Sequence, residues 1–142
     1  MGADQAQHLL DAVVEVACRT EIPPDLAATD SWTELCAASS DITAWCNDLY
    51  SLARERANAE PTNYVTVLRH ALTCTEHAAI EQVRTHITRR LQDLDNAGHA
   101  FLAEAHRREP GAHLEYLHRV VRIICDMPGT HLGWMLASGR YQ

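Results

Sequence analysis

Ala, Leu, Glu, Gln and Arg dominate the chain, and apolar positions recur at the spacing of helices that bury one face. Runs of β-branched and aromatic residues that would mark strands are almost absent, and glycine is scarce. From about Asp4 to Arg19, the residues Leu9, Leu10, Val13, Val14 and Val16 form a broad apolar face. Ile22-Pro23-Pro24 ends that helix, because proline cannot continue it and restrains the residue before it. A long helix is predicted from Asp30 or Ser31, with Glu34 at capping-box spacing from Ser31, to about Asn58. The segment Asn58-Ala-Glu-Pro-Thr62 breaks it. A third helical stretch runs from near Asn63 to about Arg108, with a weak point at Asn96-Ala-Gly98. Glu109-Pro110-Gly111 is the clearest turn signal, and a further helix covers about Ala112 to Cys125. Met127-Pro128-Gly129 is expected to interrupt it, leaving a short last helix from His131 that carries Trp134. The pattern predicts an all-α helical bundle, one domain over residues 1–142, with no internal repeat or linker.

Composition narrows the class. With 46% apolar and 22% charged residues the chain has the profile of a soluble globular domain of ordinary size. No stretch has the 18 or so apolar residues that span a bilayer, so no membrane association is expected. The opening MGADQAQHLL shows no signal-peptide pattern, and a cytoplasmic location is the expectation. The net charge of −7 argues against nucleic-acid binding, which needs a basic face, although an acidic chain can hold an anion through intervening metal ions. Cys18, Cys36, Cys46, Cys74 and Cys125 are isolated and odd in number, which fits reduced thiols better than disulfides or a zinc site.

Chemistry concentrates in Asn47-Asp-Leu-Tyr-Ser-Leu-Ala-Arg-Glu55. Asn47, Ser51 and Glu55 stand at i, i+4 and i+8, so a helix stacks an amide carbonyl, a hydroxyl and a carboxylate along one face. Hard oxygen donors suit Mg²⁺, which accepts a mixed shell completed by water and phosphate oxygens. With one formal negative charge the site should hold the ion weakly until a phosphate-bearing ligand adds oxygens, and Arg54 is placed beside the last donor to reach that anion. Taken alone, such a stripe is also what an ordinary solvated helix face presents.

The segment resembles the second metal-binding motif of class I terpene synthases, written Asn-Asp-x-x-Ser-x-x-x-Glu. Downstream, Asn63-Tyr-Val-Thr-Val-Leu68 resembles the run that follows the motif in bacterial terpene cyclases, and Trp134-Met-Leu-Ala-Ser-Gly-Arg140-Tyr141 resembles their terminal Arg-Tyr pair. Upstream, Glu15 followed by Ile22-Pro23 resembles the segment that precedes the metal-motif helix. The resemblance implies the C-terminal part of the class I isoprenoid synthase fold. It also implies Mg²⁺ as the cofactor, Asn47, Ser51 and Glu55 as its ligands, and Arg54, Arg140 and Tyr141 as diphosphate-binding residues. The implied substrate is a prenyl diphosphate, with farnesyl diphosphate expected.

The family's other half is not in this sequence. No aspartate-rich motif is present: Asp25 and Asp30 are separated by Leu-Ala-Ala-Thr, and Asp93 and Asp95 lie in a charged stretch. Ionisation and cyclisation are therefore expected to need a second half, from self-association (a homo-oligomer) or from a separate chain carrying the N-terminal half. The alternative reading is a non-catalytic helical interaction module derived from a truncated terpene synthase. Elsewhere the nine histidines are scattered: His77 and Glu81 share a helix face, as do His113 and Leu117, with no HExxH or CxxC motif. Trp32, Trp45 and Trp134 are expected in the core or at its rim, and Arg89-Arg90 and Arg107-Arg108 as solvent-exposed charges.

Overall fold

The computed structural model describes residues 22–57, 63–108, 111 and 113–137, and for 53–57 and 135 the backbone alone. Over these the chain is helical with no strand: α1 (Pro24–Ala27), α2 (Asp30–Ala57), α3 (Tyr64–Leu72), α4 (Glu76–Arg108) and α5 (His113–Ala137). The helix expected over 4–19 lies outside the described residues, as do the predicted breaker residues 58–62.

The long helix α2 forms the spine, packed on α4 and α5, while short α3 lies against α4 and the C-terminal part of α2. Leu35, Ala38 and Ile42 follow the helical period and pack with Leu26, Leu94, Ala97, Phe101, Leu117, Val120 and Ile124 in the main core. Trp32 is part of that core, its ring tilted against Phe101 with centroids 5.2 Å apart. A second cluster of Leu52, Val65, Ala79 and Val83 joins α3 to the C-terminal part of α2, with Trp45, Leu49 and Tyr64 packed against it.

Four local expectations are corrected. The N-terminus of α2 is capped by Thr29, whose Oγ1 accepts the Trp32 N–H at 3.3 Å. The predicted capping-box Glu34 instead pairs with Arg90 of α4. The stretch from Asn63 to Arg108 breaks at Thr73–Thr75 and not at Asn96–Gly98. Thr73 adopts the left-handed conformation (φ 50°), the Cys74 N–H bonds back to the Arg69 carbonyl, and the Thr75 hydroxyl accepts the Ala78 N–H to start α4. Gly98 is there for close approach: a Cβ on it would lie 3.3 Å from Val121 Cγ1 of α5.

The third correction concerns Pro128, which lies inside α5 without ending it. Proline has no N–H, so the carbonyl four residues earlier, that of Ile124, lacks its usual helical donor. Ser39, fully buried on α2, supplies the missing bond: its Oγ donates to the Ile124 carbonyl at 2.8 Å. A cross-helix hydroxyl thus replaces the absent amide, and the helix carries on to Ala137.

The fourth is Arg90, expected to be a solvated charge. Its side chain is only 18% exposed and pairs with Asp41 through Nε at 3.0 Å, with Asp93 through Nη1 at 3.0 Å, and with Glu34. Arg107 and Arg108 are exposed as expected, both paired with Glu104, and Arg108 also reaches Asp25.

Candidate metal and diphosphate site

Because α2 is unbroken through Ala57, Asn47, Ser51 and Glu55 do stand one helical turn apart on a single stripe. Asn47 is half-buried and Ser51 is 1% exposed, so the central donor sits in a protected position. Glu55 and Arg54 are in the helix backbone, and their side chains lie outside the described residues. Arg140 and Tyr141 lie outside them altogether.

Asp48, the second residue of the motif, is engaged with α3. Its Oδ2 accepts the Tyr64 N–H at 2.9 Å, and its backbone carbonyl accepts from Asn63 Nδ2 at 2.8 Å. Asn63, 1% exposed, caps α3 with Oδ1 accepting the Val65 N–H at 2.9 Å. The Asn47-Asp48 pair on α2 and the Asn63-Tyr-Val run are therefore mated parts of one join. The available signal was Asn63 itself, a good N-cap residue directly before an apolar helix.

Around this join sits a polar ledge. The Trp45 indole stacks on the Tyr64 ring at 5.0 Å, and the Tyr64 hydroxyl shares a hydrogen bond of 2.9 Å with His86 Nδ1. Trp45 thus faces α3. Burial pushes the Tyr64 hydroxyl above its ordinary pKa, and the Asp41 charge adds to the effect. Asp41 is itself raised, because burial outweighs the opposing pull of Arg90. Burial likewise raises the Cys46 thiol.

Other candidates do not gather into a site. Among the described residues no three His, Cys, Asp or Glu side chains converge as metal ligands. His77 is exposed, and Glu81 on its face pairs with Arg84. Trp134 is 52% exposed beside His131. Cys46, Cys74 and Cys125 are free thiols. A surface pocket between the start of α2 and the end of α4 is lined by Asp25, Asp30 and Glu104 together with Arg107 and Arg108, the arginines being paired with Glu104. Thr29 on its rim is 18 residues before Asn47, about 27 Å along α2, so this pocket is no part of the metal stripe.

Residues 5–93, a stretch that includes the whole stripe and the Asp48–Asn63 join, match the family described as terpene synthase family 2, C-terminal metal binding. The chain belongs to this family. Among curated proteins, the terpene synthase segment is 28% identical over 102 residues to (+)-eremophilene synthase of Sorangium cellulosum (strain So ce56), covering 72% of this chain and 29% of that protein. Among solved structures it superposes on "Hedycaryol apo" with a TM-score of 0.76 at 20% identity, covering 94% of this chain and 48% of the other. Hedycaryol synthase in complex with nerolidol gives 0.73 at 19% identity, with 94% and 48% covered. These likenesses establish the helical fold of a class I terpene synthase. The chain spans about half the length of those structures and under a third of the curated relative.

The stripe fits a hard divalent cation. Its donors are all oxygens, their helical spacing is uninterrupted, and the family it belongs to is metal-binding by description. No helix among the described residues is long and apolar enough to cross a membrane.

Proposed function

We propose that this chain is the diphosphate-handling half of a terpene synthase, binding Mg²⁺ and the diphosphate of a prenyl diphosphate, with farnesyl diphosphate as the expected substrate. The observation that carries the reading is the register of Asn47, Ser51 and Glu55 on unbroken α2, inside the part of the chain matched to a metal-binding terpene synthase family. The Asn47 amide oxygen, the Ser51 hydroxyl and the Glu55 carboxylate would hold the ion. Arg54, Arg140 and Tyr141 would hold diphosphate oxygens through charge-assisted hydrogen bonds. When bound, Mg²⁺ supplies positive charge that stabilises the departing diphosphate.

Chemistry on the prenyl chain needs a closed, dry cavity, and roughly half of the fold seen in the structural relatives is not in this chain. A second half, from another copy or from a separate chain, would complete it. The free Cys46, Cys74 and Cys125 favour a reducing, cytoplasmic compartment. The direct test is calorimetry of inorganic diphosphate and farnesyl diphosphate binding with and without Mg²⁺. Binding should require Mg²⁺ and fall at least tenfold in Glu55→Gln; equal affinity in that variant would sink the assignment. A product assay with farnesyl diphosphate then separates a self-assembled enzyme from a half awaiting its partner.

A second reading, a non-catalytic interaction module, is favoured by the exposed large apolar residues Val67, Leu72, Trp134 and Leu136. A uniform oligomer whose size and stability ignore Mg²⁺ and diphosphate would select it.

A further inference from the structure

We infer that Asp48 is a positioning residue and not a metal ligand: its carboxylate clasps the start of α3 to α2 and thereby holds the metal stripe in register. The inference rests on the proposed diphosphate site. On α2, Asp48 lies about 100° around the helix from Asn47, about 60° from Ser51 and about 20° from Glu55, so what sets it apart from the stripe is the engagement of its carboxylate with α3 and not its helical angle. Its carboxylate is turned to the Tyr64 N–H, one of the amides at the start of α3 that the helix itself cannot satisfy. A carboxylate there also favours the positive end of α3.

The clasp is doubled. The Asn63 amide holds the Asp48 carbonyl while its oxygen caps α3, and both Asn63 and Val65 are 1% exposed. On the same side Trp45 stacks on Tyr64, and Tyr64 reaches His86 on α4. The stretch of α2 between Trp45 and Leu52, which carries Asn47 and Ser51, is thus braced laterally to α3 and α4. Loss of the clasp frees that stretch to roll and shift, and a cation site assembled from donors one turn apart loses affinity when their relative placement loosens.

The experiment uses the full chain, with inorganic diphosphate plus Mg²⁺ as the probe, and compares Asp48→Asn, Asp48→Ala, Asn63→Asp and Glu55→Gln. Asp48→Asn removes the charge but keeps an oxygen for the Tyr64 N–H, and should bind within about threefold of the parent. Asp48→Ala should bind at least tenfold more weakly at unchanged far-UV circular dichroism, and its Tyr64 amide should exchange with solvent at least tenfold faster. Asn63→Asp, which keeps the cap but replaces the amide facing the Asp48 carbonyl, should weaken binding although it lies off the metal helix. An Asp48→Asn loss as deep as that of Glu55→Gln would make Asp48 a ligand and overturn the inference. So would parental affinity in Asp48→Ala. If Glu55→Gln itself binds normally, the site assignment falls and takes the functional role of the clasp with it. The Tyr64 amide then separately shows whether the clasp exists.

Discussion

The join between Ser39 and α5 makes a quantitative prediction that isolates one hydrogen bond. Ser39→Ala removes the hydroxyl that stands in for the amide missing at Pro128, leaving the Ile124 carbonyl short of a partner in a fully buried setting. An orphaned buried polar group costs about 1–3 kcal/mol. For a chain of this size each kcal/mol moves Tm by roughly 3–5 °C, so the variant should melt roughly 3–15 °C lower. Pro128→Ala restores a backbone N–H four residues after Ile124, and the helix can then satisfy its own carbonyl. In that background Ser39→Ala should cost under about 1 kcal/mol, so the double-mutant cycle should return a coupling of about 1–2 kcal/mol. Urea denaturation of the four proteins, followed by circular dichroism, measures each term. Equal cost of Ser39→Ala with and without Pro128 would refute the reasoning, since the hydroxyl would then not be standing in for the missing amide.

Three other outcomes follow from the packing and charges. Gly98→Leu should destabilise the fold by about 1–3 kcal/mol through overpacking against Val121, whereas Gly98→Ala should be close to neutral, its helix-propensity gain offsetting a tight contact; thermal melts check both. The Asp41 carboxyl stands above its ordinary 3.8, so the folded state holds that proton more tightly than the unfolded one; the resulting stability is present below 3.8 and lost as pH rises through the raised value. Arg90→Met should raise it further, so this variant should lose more stability relative to the parent near pH 7 than near pH 4, and a loss independent of pH would contradict the pairing. Burial raises the Cys46 and Cys125 thiols, with Asp126 and Asp95 adding to the effect at Cys125. Both should alkylate with iodoacetamide at least tenfold more slowly than a free thiol near neutral pH, as followed by peptide mass mapping.

What was legible in the sequence is what depends on neighbours along one helix. The all-α class, the long helix predicted from Asp30 or Ser31 and formed by Asp30–Ala57, and the spacing of Asn47, Ser51 and Glu55 along it all follow from local sequence, and the family match bears out the resemblance to terpene synthases. Thr29 and Thr75 as caps were also local, but glycine and the Ser31–Glu34 spacing were stronger signals on paper, and the fold overrode them. At Gly98 a residue that usually weakens a helix instead makes room for Val121 of α5, whose Cγ1 lies 3.3 Å from where a Cβ would stand.

What only the tertiary structure decided are the bonds between helices. Ser39 and Ile124 are 85 residues apart, and no local rule says that a serine on α2 will carry α5 across Pro128. Asp48 and Asn63 meet across a turn, which changes Asp48 from one more acidic residue of a metal motif into the clasp of α3. Arg90 reads as one of two adjacent basic residues, and it becomes a partly buried hub only because α2 brings Glu34 and Asp41 to it. Periodicity determines which face of a helix is buried, whereas the partner of a buried polar group is set by which helix lies opposite, and that is fixed only when the bundle is assembled.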